Sequence, residues 1–92
     1  MTMKKDSLPT LYVKSGCPWC ADALAFFEEK KIALNIVDVR KDEKALKHLE
    51  ALTGKHKTPS LEFGDFLVSD FDVDEFIEAA SQSPQMKRHF KL

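Results

Sequence analysis

The sequence Lys-Ser-Gly-Cys-Pro-Trp-Cys, residues 14–20, lies between a pattern typical of a β-strand and a pattern typical of an α-helix. Residues 8–13 before it contain strand-forming side chains, and the Ser-Gly pair that follows ends this run. Pro18 suits the first turn of a helix, and residues 21–31 carry leucine, alanine and phenylalanine at helical spacing. We therefore predict a buried strand, a tight loop, and a helix whose N-terminus holds Cys17.

The pattern continues with a second strand and an amphipathic helix. Residues 33–39 form an apolar, β-branched run typical of a central strand. We expect this strand to run parallel to the first, with a right-handed crossover, because a helix separates the two. Residues 41–53 place three leucines on one face of a helix, and Gly54 marks its end.

A hairpin and a final helix follow. Residues 58–63 and 66–69 predict two antiparallel strands joined by a two-residue Gly-Asp turn. Residues 72–80 have helical apolar spacing behind a capping-box pattern formed by Asp72 and Glu75. The predicted order of elements is β-α-β-α-β-β-α.

The C-terminal end of the sequence is less decisive. Pro84 is an end signal for the last predicted helix, and residues 85–92 form a basic tail. The sequence leaves open whether this tail packs as an extra turn or frays. We expect one domain over residues 1–92, because a chain of this length can bury a single core.

Composition and charge exclude several classes of function. The 14 basic and 15 acidic side chains give a net charge of -1, which offers no broad positive field for nucleic acid or for an anionic membrane surface. No apolar run approaches 18 residues, the length of a membrane span. Residues 1–7 are charged, and no apolar stretch of secretory length follows them. We expect a soluble, cytoplasmic, monomeric protein with no nucleic-acid or membrane partner.

The two cysteines predict redox chemistry. A disulfide between Cys17 and Cys20 would close too short a loop to stabilise the fold much. A helix N-terminus stabilises negative charge, so Cys17 is predicted to be a nucleophilic thiolate. Cys20, one helical turn later, would then be the resolving thiol. Lys14 adds a positive charge that favours the thiolate and could meet a substrate carboxylate.

Simpler explanations of these residues remain open at this point. The cysteines could be half of a zinc site, although His48, His56 and His89 do not have zinc-finger spacing. They could also be ordinary core cysteines. Lys14 could be a solvated surface lysine, and the histidines are treated as surface residues.

The chain resembles the glutaredoxin family over nearly its whole length, from the first strand through the last helix. The resemblance implies an α/β, thioredoxin-like fold with a four-stranded mixed sheet flanked by helices. It also implies a thiol-disulfide oxidoreductase that uses glutathione as co-substrate, without a metal, and acts on disulfide-containing or glutathionylated proteins. The residues that carry it are Lys14-Ser15-Gly16-Cys17-Pro18-Trp19-Cys20, Thr58-Pro59 and Asp70-Phe71-Asp72.

The same resemblance implies a set of site residues. Pro59 would follow a cis peptide bond and lie against the redox cysteine, with the backbone of Thr58 pairing with the cysteinyl part of glutathione. Phe71 and Asp72 would bind the γ-glutamyl end, where helix N–H groups suit a carboxylate. Lys14 and Trp19 complete the implied glutathione contacts.

Two departures from the family pattern keep other functions open. Ser69-Asp70 replaces a glycine pair, and Leu46 stands where relatives often carry a polar contact to the glycine carboxylate of glutathione. Lys14, Lys47 or Lys57 could substitute for that contact. One alternative is an electron donor of ribonucleotide reductase that is itself reduced by thioredoxin reductase. A further alternative, which does not depend on these departures, is a non-enzymatic iron-sulfur carrier, with a cluster bridged by Cys17 of two chains and two glutathiones.

Overall fold

A computed structural model describes residues 8–92 of the protein. The charged opening segment, residues 1–7, lies outside this part. The predicted order of strands and helices is confirmed, and one further helix follows. The elements are β1 (Thr10–Val13), α1 (Pro18–Glu29), β2 (Asn35–Asp38), α2 (Glu43–Thr53), β3 (Ser60–Phe63), β4 (Phe66–Val68), α3 (Val73–Ser81) and α4 (Pro84–His89).

The four strands form one mixed sheet in the order β2-β1-β3-β4. β1 pairs in parallel with β2 and antiparallel with β3, and β3 pairs antiparallel with β4. The predicted mixed sheet and the parallel pairing of the first two strands are confirmed. In the register of β1 and β3, Tyr12 lies opposite Ser60. The loop that follows β1 and the loop that precedes β3 therefore lie next to each other, at the same end of these two strands.

The prediction that the second strand is central was wrong, because β2 lies at the edge of the sheet. Ile36 in this strand is 57% exposed. Its apolar neighbours pack against helices on the two faces: Leu34 joins the cluster that contains α1 side chains, and Val37 joins the cluster under α2. Helices on both faces produce the same apolar run as a central position would.

The core has two parts, one on each face of the sheet. Tyr12, Val39 and Leu49 form the smaller cluster, under α2. The larger cluster lies on the other face and is rich in phenylalanine. Phe76 is at its centre, with ring centroids 5.0 Å from Phe27 and 4.9 Å from Phe90 in nearly perpendicular arrangements. Its buried members are Leu11, Val13, Cys20, Ala23, Phe27, Leu61, Phe71, Phe76, Ala80 and Phe90.

The sequence left open whether the C-terminal tail packs as an extra turn or frays, and the structure shows that it packs. Pro84 follows the end of α3 but also begins α4, since a proline tolerates the first turn of a helix. The Ser83 hydroxyl caps this helix by accepting a hydrogen bond from the Met86 N–H. Phe90 is fully buried, and the ammonium groups of Lys30 and Lys91 each donate to the other residue's carbonyl at 3.0 Å. Between residues 8 and 92, no helix has the length and apolarity needed to span a bilayer.

Phe90 tests the contribution of this tail to stability. We expect Phe90→Ala to lower the free energy of unfolding by about 3–5 kcal/mol, because it opens a cavity among close-packed aromatic rings. Leu67→Ala is the matched control: Leu67 is 38% exposed, so its truncation should remove about 1 kcal/mol or less. Urea unfolding of both variants measures the difference. Equal losses would show that the packing of Phe90 adds no stability to the core.

Candidate functional site: a dithiol at the N-terminus of α1

The sulfur of Cys17 is the N-cap of α1. Cys17 has an extended backbone (φ -88°, ψ 116°), and its Sγ accepts a hydrogen bond from the Cys20 N–H at 3.2 Å. Pro18 follows at the first helical position, where its missing N–H leaves no helical hydrogen bond unmade. The sulfur therefore faces unpaired helix N–H groups and the positive end of the helix dipole, both of which favour negative charge.

A second loop contacts the same sulfur from the other side. The Thr58–Pro59 peptide bond is cis, as the resemblance implied, and Pro59 is buried. The Cys17 thiol can donate to the Thr58 carbonyl, and the Thr58 hydroxyl can donate to the sulfur, each at 3.9 Å. The first contact suits the protonated thiol and the second suits the thiolate, so Thr58 can serve both states.

The pKa values of the two cysteines are shifted in opposite directions. Burial raises the pKa of Cys17, but hydrogen bonds from the side chain and N–H of Cys20, from Thr58 and from the Trp19 N–H outweigh it and lower this pKa. Burial is also the largest influence on Cys20, and together with its hydrogen bond to Cys17 it raises the pKa of the Cys20 thiol. Cys20 is only 2% exposed. The site thus favours a thiolate at Cys17 beside a protonated thiol at Cys20.

The loop before Cys17 is anchored to the end of β2. The Ser15 hydroxyl donates a hydrogen bond to the Asp38 carboxylate, which also accepts from the Arg40 N–H at 2.9 Å. These contacts, the Ser15 bond foremost, lower the pKa of Asp38. The Cys17 N–H donates to the Lys14 carbonyl at 3.2 Å and closes the turn.

Ser60 connects two further loops of the site. It is fully buried, donates to the Lys57 carbonyl at 2.9 Å, and accepts from the Asp70 N–H at 3.1 Å. The Phe71 N–H donates to the Pro59 carbonyl at 3.1 Å. Asp70 has a left-handed backbone (φ 52°), which aspartate tolerates better than most residues and which explains how it can replace a glycine. Sequence reasoning missed Ser60, because one serine in a strand forms no pattern.

The predicted capping box at α3 is confirmed. A carboxylate oxygen of Asp72 accepts from the Glu75 N–H at 2.8 Å, and the Glu75 carboxylate accepts from the Asp72 N–H at 3.0 Å. Asp72 lines a cavity of about 200 Å³ with Trp19, Asp70, Phe71 and Glu75. Three of the residues assigned to glutathione, Trp19, Phe71 and Asp72, are therefore brought together beside the dithiol.

Lys14, which was also assigned to glutathione, does not line this cavity. It lines a larger groove of about 590 Å³ together with Val39, Arg40, Glu43, Leu46 and His56. The other two lysines considered as substitutes for a polar residue at position 46, Lys47 and Lys57, do not line this groove. Sequence reasoning missed Arg40 and His56. They come from different loops, so no local motif joins them.

The arrangement is suited to exchange with disulfides. A thiolate at Cys17 can attack a sulfur atom, and a protonated thiol one helical turn away can attack the resulting mixed disulfide. As for the metal-site alternative, residues 8–92 contain no group of three or more histidine, cysteine or acidic side chains placed to hold an ion.

Comparison with known proteins gives one family and a consistent fold. The family model described as Glutaredoxin matches residues 10–68, from β1 through β4. No curated protein matches the sequence at a significant level.

Several solved structures share the fold at low sequence identity. A glutaredoxin from Archaeoglobus fulgidus superposes with a TM-score of 0.70 at 17% identity, covering 86% of this chain and 95% of that one. The NrdH-redoxin of Escherichia coli, described as a glutaredoxin-like protein with a thioredoxin-like activity profile, gives 0.66 at 21% identity, with 83% and 95% covered. A thioredoxin-like protein solved as a mutant gives 0.70 at 23% identity, with 88% and 100% covered.

These superpositions establish a thioredoxin-like fold, a four-stranded mixed sheet flanked by helices. The family match spans most of the chain and includes both cysteines and the Thr58–Pro59 turn. This chain therefore belongs to the glutaredoxin family.

Proposed function

We propose that the protein is a glutathione-dependent thiol-disulfide oxidoreductase that reduces protein disulfides and glutathione mixed disulfides. Membership of the family implies thiol-disulfide chemistry in general. The single observation that carries the proposal is the hydrogen bond from the Cys20 N–H to the Cys17 sulfur at the start of α1. It helps to lower the pKa of Cys17, which favours Cys17 as the attacking thiolate, while burial and the hydrogen bond to Cys17 raise the pKa of the Cys20 thiol.

The proposed reaction has two exchange steps. The Cys17 thiolate attacks one sulfur of the substrate disulfide, and the other substrate sulfur leaves as a thiolate and takes up a proton. The Cys20 thiol then loses its proton and attacks the Cys17 sulfur, which releases the second substrate thiol and forms the Cys17–Cys20 disulfide. Two electrons have passed to the substrate. Two glutathione molecules return both cysteines to thiols and become glutathione disulfide.

The cavity beside Trp19 supports glutathione as the reductant. It lies at the N-terminus of α3, where the helix dipole favours the α-carboxylate of the γ-glutamyl end, and it is lined by Asp72, whose carboxylate can accept from the ammonium group of that end. The proposal assigns the contact with the cysteinyl part to Thr58, whose carbonyl and hydroxyl oxygens lie 3.9 Å from the Cys17 sulfur. Trp19 is 57% exposed and can pack against the bound peptide.

Leu46 favours a second candidate, a dithiol donor reduced by thioredoxin reductase. It contributes an apolar side chain to the groove at a position where the glycine carboxylate of glutathione would need a polar partner. The Escherichia coli NrdH-redoxin, which has a thioredoxin-like activity profile, has the same fold.

A coupled assay distinguishes these two reductants. The oxidised protein is supplied either with glutathione and glutathione reductase or with thioredoxin reductase, and NADPH consumption is followed in both. We expect faster turnover with glutathione, because the Trp19 cavity can bind its charged γ-glutamyl end. Turnover with thioredoxin reductase alone would establish the dithiol-donor function instead.

The thiolate of Cys17 should be visible in a pH titration. Because the folded-state pKa of Cys17 is lowered, its thiolate should form, and its alkylation rate reach a plateau, at a pH below the range of a free thiol. The Cys20→Ser variant reports this titration through thiolate absorbance. Cys17→Ser is the matched control and should show Cys20 titrating above that range, since its pKa is raised. Identical curves for the two variants would contradict the assignment.

The two cysteines should also separate by substrate. Cys20→Ser should still remove glutathione from modified proteins, because a second glutathione can resolve Cys17 directly. The same variant should lose reduction of intramolecular protein disulfides and accumulate a mixed disulfide detectable by mass spectrometry. Cys17→Ser should lose both activities. If Cys20→Ser fails at deglutathionylation as completely, the reaction requires both thiols throughout.

A further inference from the structure

Ser60 stands out because its hydroxyl group is buried. Among the serine, threonine, amide and charged side chains of residues 8–92, only that of Ser60 is buried, and it is 0% exposed. Burial removes a hydroxyl from water, so alanine would be favoured at this position unless the hydroxyl makes hydrogen bonds that the protein requires. The Ser60 hydroxyl makes two, one as donor and one as acceptor.

These two hydrogen bonds join loops that are distant in sequence. The hydroxyl donates at 2.9 Å to the Lys57 carbonyl, in the loop before β3, and accepts at 3.1 Å from the Asp70 N–H, in the turn before α3. Beside them, the Phe71 N–H donates to the Pro59 carbonyl at 3.1 Å. Asp70 has a left-handed backbone, which is disfavoured for residues with a side chain and persists only where the surroundings fix it. The hydrogen bonds from Asp70 and Phe71 to the other loop supply that constraint.

Each of the two loops carries one half of the proposed glutathione site. In the loop before β3, the Thr58 carbonyl and hydroxyl lie 3.9 Å from the Cys17 sulfur. The turn before α3 leads into Asp72 and lines the cavity beside Trp19. One amide bond connects the cysteinyl and γ-glutamyl parts of glutathione, so a molecule held at Cys17 reaches the cavity only if the two loops are correctly spaced.

We propose that Ser60 is a positioning residue for glutathione: its hydroxyl holds the loop of Thr58 and the turn before Asp72 at the separation that lets one tripeptide contact both. The inference rests on the proposed function, since it takes glutathione as the reductant. Ser60 is itself buried, so it acts only through the two loops and not by touching the ligand.

The test measures reduction of the Cys17–Cys20 disulfide by two thiols. One is glutathione, and the other is N-acetyl-cysteinylglycine, which keeps the amide bond at the cysteine but lacks the charged γ-glutamyl end. In both cases the thiolate attacks the Cys17 sulfur and forms a mixed disulfide, and Cys20 leaves as a thiolate that takes up a proton. Trp19 is the only tryptophan of the chain and lies between the two cysteines, so its fluorescence should follow this step. The measured quantity is the ratio of the second-order rate constant for glutathione to that for N-acetyl-cysteinylglycine.

We expect a ratio of about ten for the wild-type protein, because the γ-glutamyl end gains contacts with Asp72 and with the N-terminus of α3. Ser60→Ala should lower this ratio about three- to ten-fold, the range of one hydrogen bond between neutral groups. The substitution also leaves the Lys57 carbonyl and the Asp70 N–H without this partner, and the resulting loss of stability should lower both rate constants alike. The ratio therefore separates positioning from stability.

Two further variants are the controls. Ser69→Ala makes the same chemical change at the exposed serine directly before Asp70 and should leave the ratio unchanged. Ser60→Thr keeps the hydroxyl and should keep the ratio near the wild-type value, whatever its extra methyl group costs in stability, since that cost lowers both rate constants alike.

A wild-type ratio near ten that Ser60→Ala leaves unchanged would overturn the positioning role and leave the proposed function intact. An equal loss in Ser60→Thr and Ser60→Ala, or in Ser69→Ala and Ser60→Ala, would overturn it as well, because the effect would not belong to the Ser60 hydroxyl. A wild-type ratio near one has a different meaning. The cavity beside Trp19 would then not bind the γ-glutamyl end, so the proposed use of glutathione fails and the role of Ser60 fails with it.

Discussion

The hydrogen bond from the Cys20 N–H to the Cys17 sulfur is the interaction on which the rest of the site depends. It makes one sulfur atom both the cap of α1 and the reactive group. A charged acceptor at a helix N-terminus forms a stronger hydrogen bond than a neutral one, so ionisation of Cys17 and capping of α1 reinforce each other. Formation of the Cys17–Cys20 disulfide removes that charge. The helix therefore stabilises the dithiol form relative to the disulfide form. This makes the Cys17–Cys20 disulfide easier to reduce.

The sheet brings the other contacts to this sulfur. β1 and β3 are antiparallel neighbours with Tyr12 opposite Ser60, so the end of one strand and the start of the other lie side by side. This register places Thr58 against Cys17. Ser60 then extends the connection to the turn before α3 through the Asp70 N–H. A buried hydroxyl with both a donor and an acceptor contact holds the two loops at a fixed separation without leaving a polar group unpaired.

The two sides of the dithiol carry side chains of opposite charge. On one side, Asp70, Asp72 and Glu75 surround the cavity next to Trp19. On the other, Lys14 and Arg40 lie in the larger groove. The two sides therefore present opposite net charge to a ligand that approaches the Cys17 sulfur.

The sequence by itself determined the parts of this protein that depend on local patterns. The cysteine pair at a junction of strand and helix, the capping box of Asp72 and Glu75, and the Gly-Asp turn each involve residues a few positions apart, so their spacing predicts their structure. The resemblance carried by the same residues added the cis bond before Pro59.

Tertiary structure alone decided that β2 lies at the edge, because helices on both faces produce the apolar pattern of a central strand. It also decided that Phe90 completes the core, that Ser60 joins two loops, and that Arg40 and His56 share a groove with Lys14. Each of these depends on neighbours distant in sequence, and a single sequence specifies such neighbours only through the fold.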